Sequence, residues 1–165
     1  MSVLKIKIYP DPILRLQSES VEIFDAELKK ILDDMYETMI KAGGIGLAAP
    51  QVGISRQIAV IDISDERNER IELINPKIIW AEGKVDSEEG CLSIPEYRDR
   101  IKRSKEIVVR AQDSVGKELE IKAEGLLSIC MQHEIDHLNG ILFVDRMSRL
   151  KRELFKRWHG KKISS

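Results

Sequence analysis

Cysteine is scarce in this chain of 165 residues, with only Cys91 and Cys130. Unpaired cysteines in a cytosolic protein are more often buried, metal-binding or catalytic than disulfide-bonded. Long apolar runs are missing as well. Lysines interrupt the N-terminal stretch Met1-Ser2-Val3-Leu4-Lys5-Ile6-Lys7-Ile8, which therefore lacks the uninterrupted core of a signal peptide. No run approaches the length that spans a bilayer. Both absences point to a cytoplasmic protein with no membrane partner. Net charge is also small, at -1, which argues against general or sequence-specific affinity for nucleic acid. Internal repeats, low-complexity tracts and interdomain linkers are absent too.

What is present describes one soluble domain with a substantial core. Hydrophobic residues make up 42% and charged residues 33%, ordinary values for a globular protein. The charge is unevenly spread. From Arg146 onward there are eight Lys/Arg and a single acid, Glu153, so a tail of +7 follows a body of -8. Such an asymmetry suggests a local contact with something anionic.

Residues 3–8 alternate apolar residues with Lys, the pattern of a short strand. Asp25 is placed to cap a helix reaching about Lys41, with Leu28, Ile31, Leu32, Met35, Tyr36 and Met39 on one face and Gly43-Gly44 as its stop. Strands are expected over 57–63, 72–80, 106–111 and 118–123, the last two joined by the turn Asp113-Ser114-Val115-Gly116 into an antiparallel hairpin. A helix from Glu124-Gly125 to Asn139-Gly140 is apolar around much of its circumference and so expected to be buried. Another helix covers about 148–158. Strands joined by short turns favour an α+β fold over a doubly wound parallel sheet.

The expected buried helix carries His133-Glu134-Ile135-Asp136-His137. His133 and His137 project from one face, a turn apart, and can hold one transition-metal ion, with Glu134 close enough to move a proton. The plainer alternative is a core helix whose histidines only hydrogen-bond. A catalytic ion normally takes three protein ligands. Glu153 and Cys91 are the candidates for the third, the former set among basic residues and the latter in a glycine-flanked loop. A thiolate would give a softer site that accepts Fe(II) as well as Zn(II). Upstream, Gly44-Ile45-Gly46-Leu47-Ala48-Ala49-Pro50-Gln51 lacks the Lys and spacing of a phosphate cradle. It is either an ordinary loop or one that lines a ligand pocket, with Gln51 supplying amide donors.

Three segments together resemble the peptide deformylases: Gly44-Ile45-Gly46-Leu47-Ala48-Ala49-Pro50-Gln51, Glu89-Gly90-Cys91-Leu92-Ser93 and Gln132-His133-Glu134-Ile135-Asp136-His137. The similarity runs from Tyr9-Pro10-Asp11-Pro12 to Leu142-Phe143-Val144-Asp145. The resemblance implies antiparallel sheets packed around a central helix carrying the His-Glu-x-x-His motif, with a C-terminal helix. It makes residues 1–145 the catalytic part and 146–165 a basic tail of the same single domain.

As to activity, it implies a metal-dependent hydrolase that removes the formyl group from the N-terminal formylmethionine of nascent polypeptides and releases formate. Cys91, His133 and His137 would hold the metal, Fe(II) physiologically, with Zn(II), Ni(II) or Co(II) also accepted. Metal-bound water would attack the formyl carbon. Glu134 would act as general base and then acid, and Gln51 with the Leu92 N–H would receive the oxyanion. Ile45 and Gly46 would line the cleft, and Ile129, Cys130 and His133 the methionine pocket. Arg98 would meet the peptide backbone, and Glu89 with Arg103 would form an ion pair. Ser87 stands where a bulkier apolar residue is expected, which would widen one wall. The tail's likeness to the C-terminal helix of bacterial forms implies docking on the ribosome near the exit tunnel, against the alternative of a solvated basic helix. Two further readings stay open: a metallopeptidase using Glu153, and a ribosome-associated binding module with a merely structural metal.

Overall fold

The apolar face of the first long helix decides how the N-terminal half packs. In the computed structural model, which describes residues 2–164, helix α1 spans Ala26–Lys41. Met1 and Ser165, the ends of the expected domain span, lie outside the described residues. The Asp25 carboxylate accepts from the Leu28 N–H at 3.1 Å, satisfying one of the donors that a helix start leaves free. The stop comes at Gly43, whose φ of +74° suits glycine.

Seven strands follow: β1 (Gly46–Ala48), β2 (Ile58–Ile61), β3 (Ile71–Glu82), β4 (Val85–Cys91), β5 (Ile94–Arg103), β6 (Glu106–Gln112) and β7 (Glu118–Glu124). All pair antiparallel, in a five-stranded sheet of order β1-β2-β3-β6-β7 and a separate β4-β5 hairpin. The strand repeat of two sends alternate side chains to opposite faces. Strand β2 shows the result. Ile58 and Val60 join Leu28, Leu32, Met35 and Met39 of α1, while Ala59 and Ile61 face Met131, Ile135 and Leu138 of helix α2 (Gly125–Leu138). Helix α2 therefore lies inside the molecule, with Ser128 and every residue from Cys130 to Leu138 buried. The expected α+β arrangement around a central helix is what the chain adopts.

A third cluster joins Ile94 and Ile101 of β5 to Leu14, Phe143, Val144, Met147 and Phe155. Phe155 belongs to helix α3 (Arg149–Ser164), the C-terminal helix, in which it is the one buried residue among those described. That helix runs six residues past the expected end at Trp158. The N-terminal segment crosses the same region as a strap. Lys7 donates to the Gln51 carbonyl at 2.7 Å, Tyr9 to Ser93 at 2.8 Å and Ser18 to Leu138 at 2.9 Å. Arg15 pairs with Asp145. At Gly140 (φ +73°) an added Cβ would lie 2.5 Å from the Arg15 carbonyl oxygen.

Two expectations needed correction. Residues 3–8 are not a strand; their alternation serves irregular backbone that leans on α1, where the Leu4 N–H reaches Thr38 Oγ1 at 2.8 Å. The expected strand over 72–80 is longer, and Asn75 (φ +52°) marks a register shift within it, as the adjoining proline demands. The Asn75 side chain stabilises that shift through Val21 N and O and Gln112 Oε1. Among the described residues no helix is long and apolar enough to cross a membrane.

Candidate active site

Helix α2 delivers His133 and His137 one turn apart, with their Nε2 atoms 3.2 Å from each other. The Cys91 Sγ, where β4 ends, lies 3.3 Å from His137 Nε2. These three groups form the one cluster among the described residues in which His, Cys, Asp or Glu atoms could share a metal ion, all within 4.8 Å of one another. Bonds of about 2.0–2.3 Å to a tetrahedral ion imply ligand–ligand edges of roughly 3.3–3.6 Å. The donor set fits. A thiolate with two imidazoles suits borderline-soft divalent ions.

The surroundings fix each ligand. His133 Nδ1 sits 3.0 Å from Glu89 Oε1, turning the opposite ring nitrogen toward Cys91 and His137. Burial and the nearby His133 hold His137 well below its ordinary imidazole value. Around Cys91 Sγ stand the Ser93 N–H and Gln51 Nε2, each at 3.4 Å. Gln51 is locked in turn: its Oε1 accepts from the Ala48 N–H at 2.9 Å, and its Nε2 also donates to Ser93 Oγ at 3.2 Å. A 3-10 turn over Ala49–Val52 provides that placement.

Glu134 is 4% exposed, and its Oε1 has no partner among the described residues. Burial, helped by Glu89 and Asp136 and opposed by His133 and Arg103, pushes its carboxyl up to about 7. A carboxyl near neutrality is matched to both taking and returning a proton. Gly46 of β1 lies against it: an added Cβ would sit 2.4 Å from Glu134 Oε2 and 3.0 Å from Cys130 Sγ. Glycine is required there for close approach, not for its dihedral freedom.

Behind the histidines, Arg103 grips Glu89 through Nε and Nη2, both at 2.8 Å, and reaches Asp136 through Nη1 at 2.6 Å. Arg146 binds both oxygens of Asp136, sharing Oδ2 with Arg103 at 2.6 Å and reaching Oδ1 at 2.7 Å. Burial alone would raise the Glu89 carboxyl, but Arg103 and His133 hold it at about 2. Asp136 and Ser93 are members of this support that sequence reasoning passed over. Asp136 could have been noticed as the polar residue three after His133, hence on the same side of a buried helix.

A cleft of about 660 Å³ opens in front of Glu134 and is lined by Ile45, Gly46, Gln51, Ser87, Cys91, Leu92, Arg98, Ile129, Cys130 and His133. All the expected cleft residues thus meet there. His137 stays behind them, 1% exposed. Glu153 does not join. It lies on α3, exposed, 3.7 Å from Lys156, which removes the third ligand that the peptidase reading needs.

Three comparisons place this geometry among known proteins. A sequence model described as polypeptide deformylase matches residues 3–153. The chain is 52% identical to a peptide deformylase of Syntrophobacter fumaroxidans, over 99% of this chain and 97% of that one. It is 50% identical to one from Chromobacterium violaceum, over 94% and 93% of the two chains. The crystal structure of a peptide deformylase from Legionella pneumophila superposes with a TM-score of 0.92 at 45% identity, covering 99% of this chain and 98% of that chain.

Proposed function

The chain belongs to the polypeptide deformylase family, whose members are metal-dependent enzymes removing the formyl group from N-terminal methionine, and from that premise we propose that Cys91, His133 and His137 hold the metal while Glu134 handles the proton. The observation that carries the reading is the convergence of those three ligand atoms beside a buried carboxylate whose Oε1 has no partner, at the inner wall of an open cleft. A structural site would have no use for that carboxylate or for an approach from solvent.

When bound, the metal would supply Lewis-acid activation of a water molecule and polarisation of the formyl carbonyl. The protein's own groups do the rest. Glu134 takes the proton released from the nucleophile and returns it to the leaving amine, a double task suited to a carboxyl at about 7. Gln51 Nε2 and the Leu92 N–H donate to the oxygen that becomes negative. The Ala48 and Ser93 contacts hold Gln51 before substrate arrives, and loss of such a preorganised donor typically costs about 2.7–4 kcal/mol of transition-state stabilisation. Ile129, Cys130 and His133 receive the methionine side chain, Ile45 and Gly46 flank it, and Arg98 meets the peptide backbone. Gly46 against Glu134 narrows the space beside the reacting carbon, which favours formyl over acetyl.

The thiolate in the ligand set suits Fe(II) as the working ion, with Zn(II), Ni(II) and Co(II) as substitutes. Exposure to air then inactivates the iron form, because Fe(II) and Cys91 both oxidise. Residues 1–145 provide the chemistry, and the exposed basic face of α3 (Arg149, Arg152, Lys156, Arg157) is charged for ribosomal RNA near the exit of nascent chains.

The test is formate release from a formyl-Met peptide and its acetylated counterpart, using protein loaded anaerobically with Fe(II). Formate from the first and no hydrolysis of the second is expected. Absence of formate would sink the reading, and equal hydrolysis of both would sink the narrow-site argument. Cys91→Ser should lose most of its metal and activity; retention of both would reject Cys91 as a ligand.

A further inference from the structure

The geometry points to Arg67 as a positioning residue that sets the cleft rim Gly44–Gly46 against the reacting groups, a role resting on the deformylase reading. The rim is squeezed between two walls of the site. A Cβ at Gly44 would meet Leu92 Cδ1 at 2.8 Å, and one at Gly46 would meet Glu134 Oε2 at 2.4 Å. Displacing this segment therefore moves the boundary shared by an oxyanion donor's residue and the base. Ile45 and Gly46 line the cleft in which the substrate would seat, so a displaced rim is felt first as weaker substrate binding.

What holds the rim lies behind it, in the loop after β2. Arg67 Nη2 donates to the Gly44 carbonyl, and its Nη1 donates to the Asp62 carbonyl at 2.7 Å. The Asp62 N–H donates to the Ile45 carbonyl at 2.9 Å. Two successive rim carbonyls are thus tied to one loop. That loop is itself braced by Tyr36 of α1, whose hydroxyl contacts Asp62 Oδ2 at 2.5 Å and the Arg67 carbonyl at 2.8 Å. The Asp62 carboxylate also accepts from Ser64 N (2.9 Å), Ser64 Oγ (2.5 Å) and Glu69 N (3.2 Å).

The backbone supplies a second, independent sign. Arg67 has φ +57°, in the left-handed region that disfavours most side chains. The neighbouring Asn68 is a residue type that tolerates that region better, yet the chain places the unfavourable dihedral on Arg67. Such conformations persist where the surrounding contacts over-determine them and concentrate at working sites. Here the dihedral accompanies a guanidinium turned back toward Gly44.

Arg67→Met keeps an unbranched apolar stem and removes the guanidinium fork. The expected result is a KM for a formyl-Met tripeptide raised about tenfold, the scale of one hydrogen bond lost from the rim, with kcat changed less than threefold and metal content unchanged. Arg67→Lys, able to reach one carbonyl at a time, should recover part of the loss. Tyr36→Phe, which unbraces the loop without touching the rim, should raise KM in the same direction by less, and it decides the question if Arg67→Met fails to fold. A KM equal to wild type in Arg67→Met would overturn the proposal. So would a fall confined to kcat with loss of metal, the sign of general damage. Wild-type protein run in parallel separates the two ideas: no formate from it defeats the deformylase reading, whereas formate with unaltered KM in the variants defeats only the role of Arg67.

Discussion

Helices α2 and α3 are of similar length and adjoin each other late in the chain, yet they spend their polar residues in opposite ways. In α2 the charged and ligating side chains are buried, and all but Glu134 are answered from another element: His133 by Glu89, His137 by Cys91, Asp136 by Arg103 and Arg146. In α3 one residue, Phe155, is buried, and most charges face outward, although Lys151 and Lys162 pair with Asp99 and Glu96 of β5. The attachment of α3 is mainly aromatic. Phe155 meets Tyr9 and Tyr97 at ring distances of 5.2 and 4.8 Å, and Trp158 meets Tyr97 at 4.9 Å. Buried charges are costly to leave unpaired, whereas exposed ones contribute little to folding. Charge in α2 is built into the architecture; in α3 most of it faces solvent.

The sharpest way to break this comparison is at Glu134. Glu134→Gln preserves shape, and a lost general base should reduce kcat roughly 10²–10⁴-fold, with circular dichroism and metal content unchanged. An activity near wild type would reduce α2 to a scaffold. Next is Arg103→Met, which leaves Glu89 and Asp136 buried without their shared cation. Breaking a buried pair in this manner costs about 3–5 kcal/mol, read as a lower urea midpoint. A midpoint within error of wild type would mean that Arg146 alone satisfies Asp136.

A smaller effect is expected from pH. The folded Glu89 carboxyl lies at about 2, against an ordinary value of 4.5. A depressed carboxyl stabilises the fold above its unfolded value, and that stability is lost as pH falls from about 4.5 through 2. Metal-free protein should therefore lose stability in acid across that window, and Glu89→Gln should flatten the slope. An unchanged slope would reject the assignment. Smallest for the fold itself is the double substitution Lys156→Glu, Arg157→Glu on α3. Stability should move by about 0.5 kcal/mol or less and formate release should stay constant, while co-sedimentation with ribosomes falls. Undiminished co-sedimentation would leave the basic face without its proposed task.

The same contrast explains what could be read from the sequence. Helix α1 was legible because one face is apolar and Asp25 announces its start; α2 because its apolar circumference and its His-Glu-x-x-His motif are local patterns. The candidate metal cluster needed Cys91, which the resemblance supplied and local spacing could not, since the residue arrives on a strand 42 positions before His133. The β4-β5 hairpin escaped because its strands are rich in Glu, Asp, Arg and Lys, and their inward residues include Ser87, Glu89 and Arg103 instead of apolar ones. Those polar positions make sense only beside His133 and Asp136. The tie from Arg67 to Gly44 left no periodic or compositional mark.

The strap at the N-terminus has a consequence for how the protein is made. Residues 14–18 find their partners at Leu138, Asn139, Gly140, Phe143 and Asp145, some 120–130 positions later in the sequence. A chain synthesised from its N-terminus at roughly 5–20 residues per second must wait several seconds for that docking surface to exist. During vectorial synthesis residues 14–18 are therefore held off their final seat. Closure of the strap is a late event, gated by emergence of the chain beyond the end of α2.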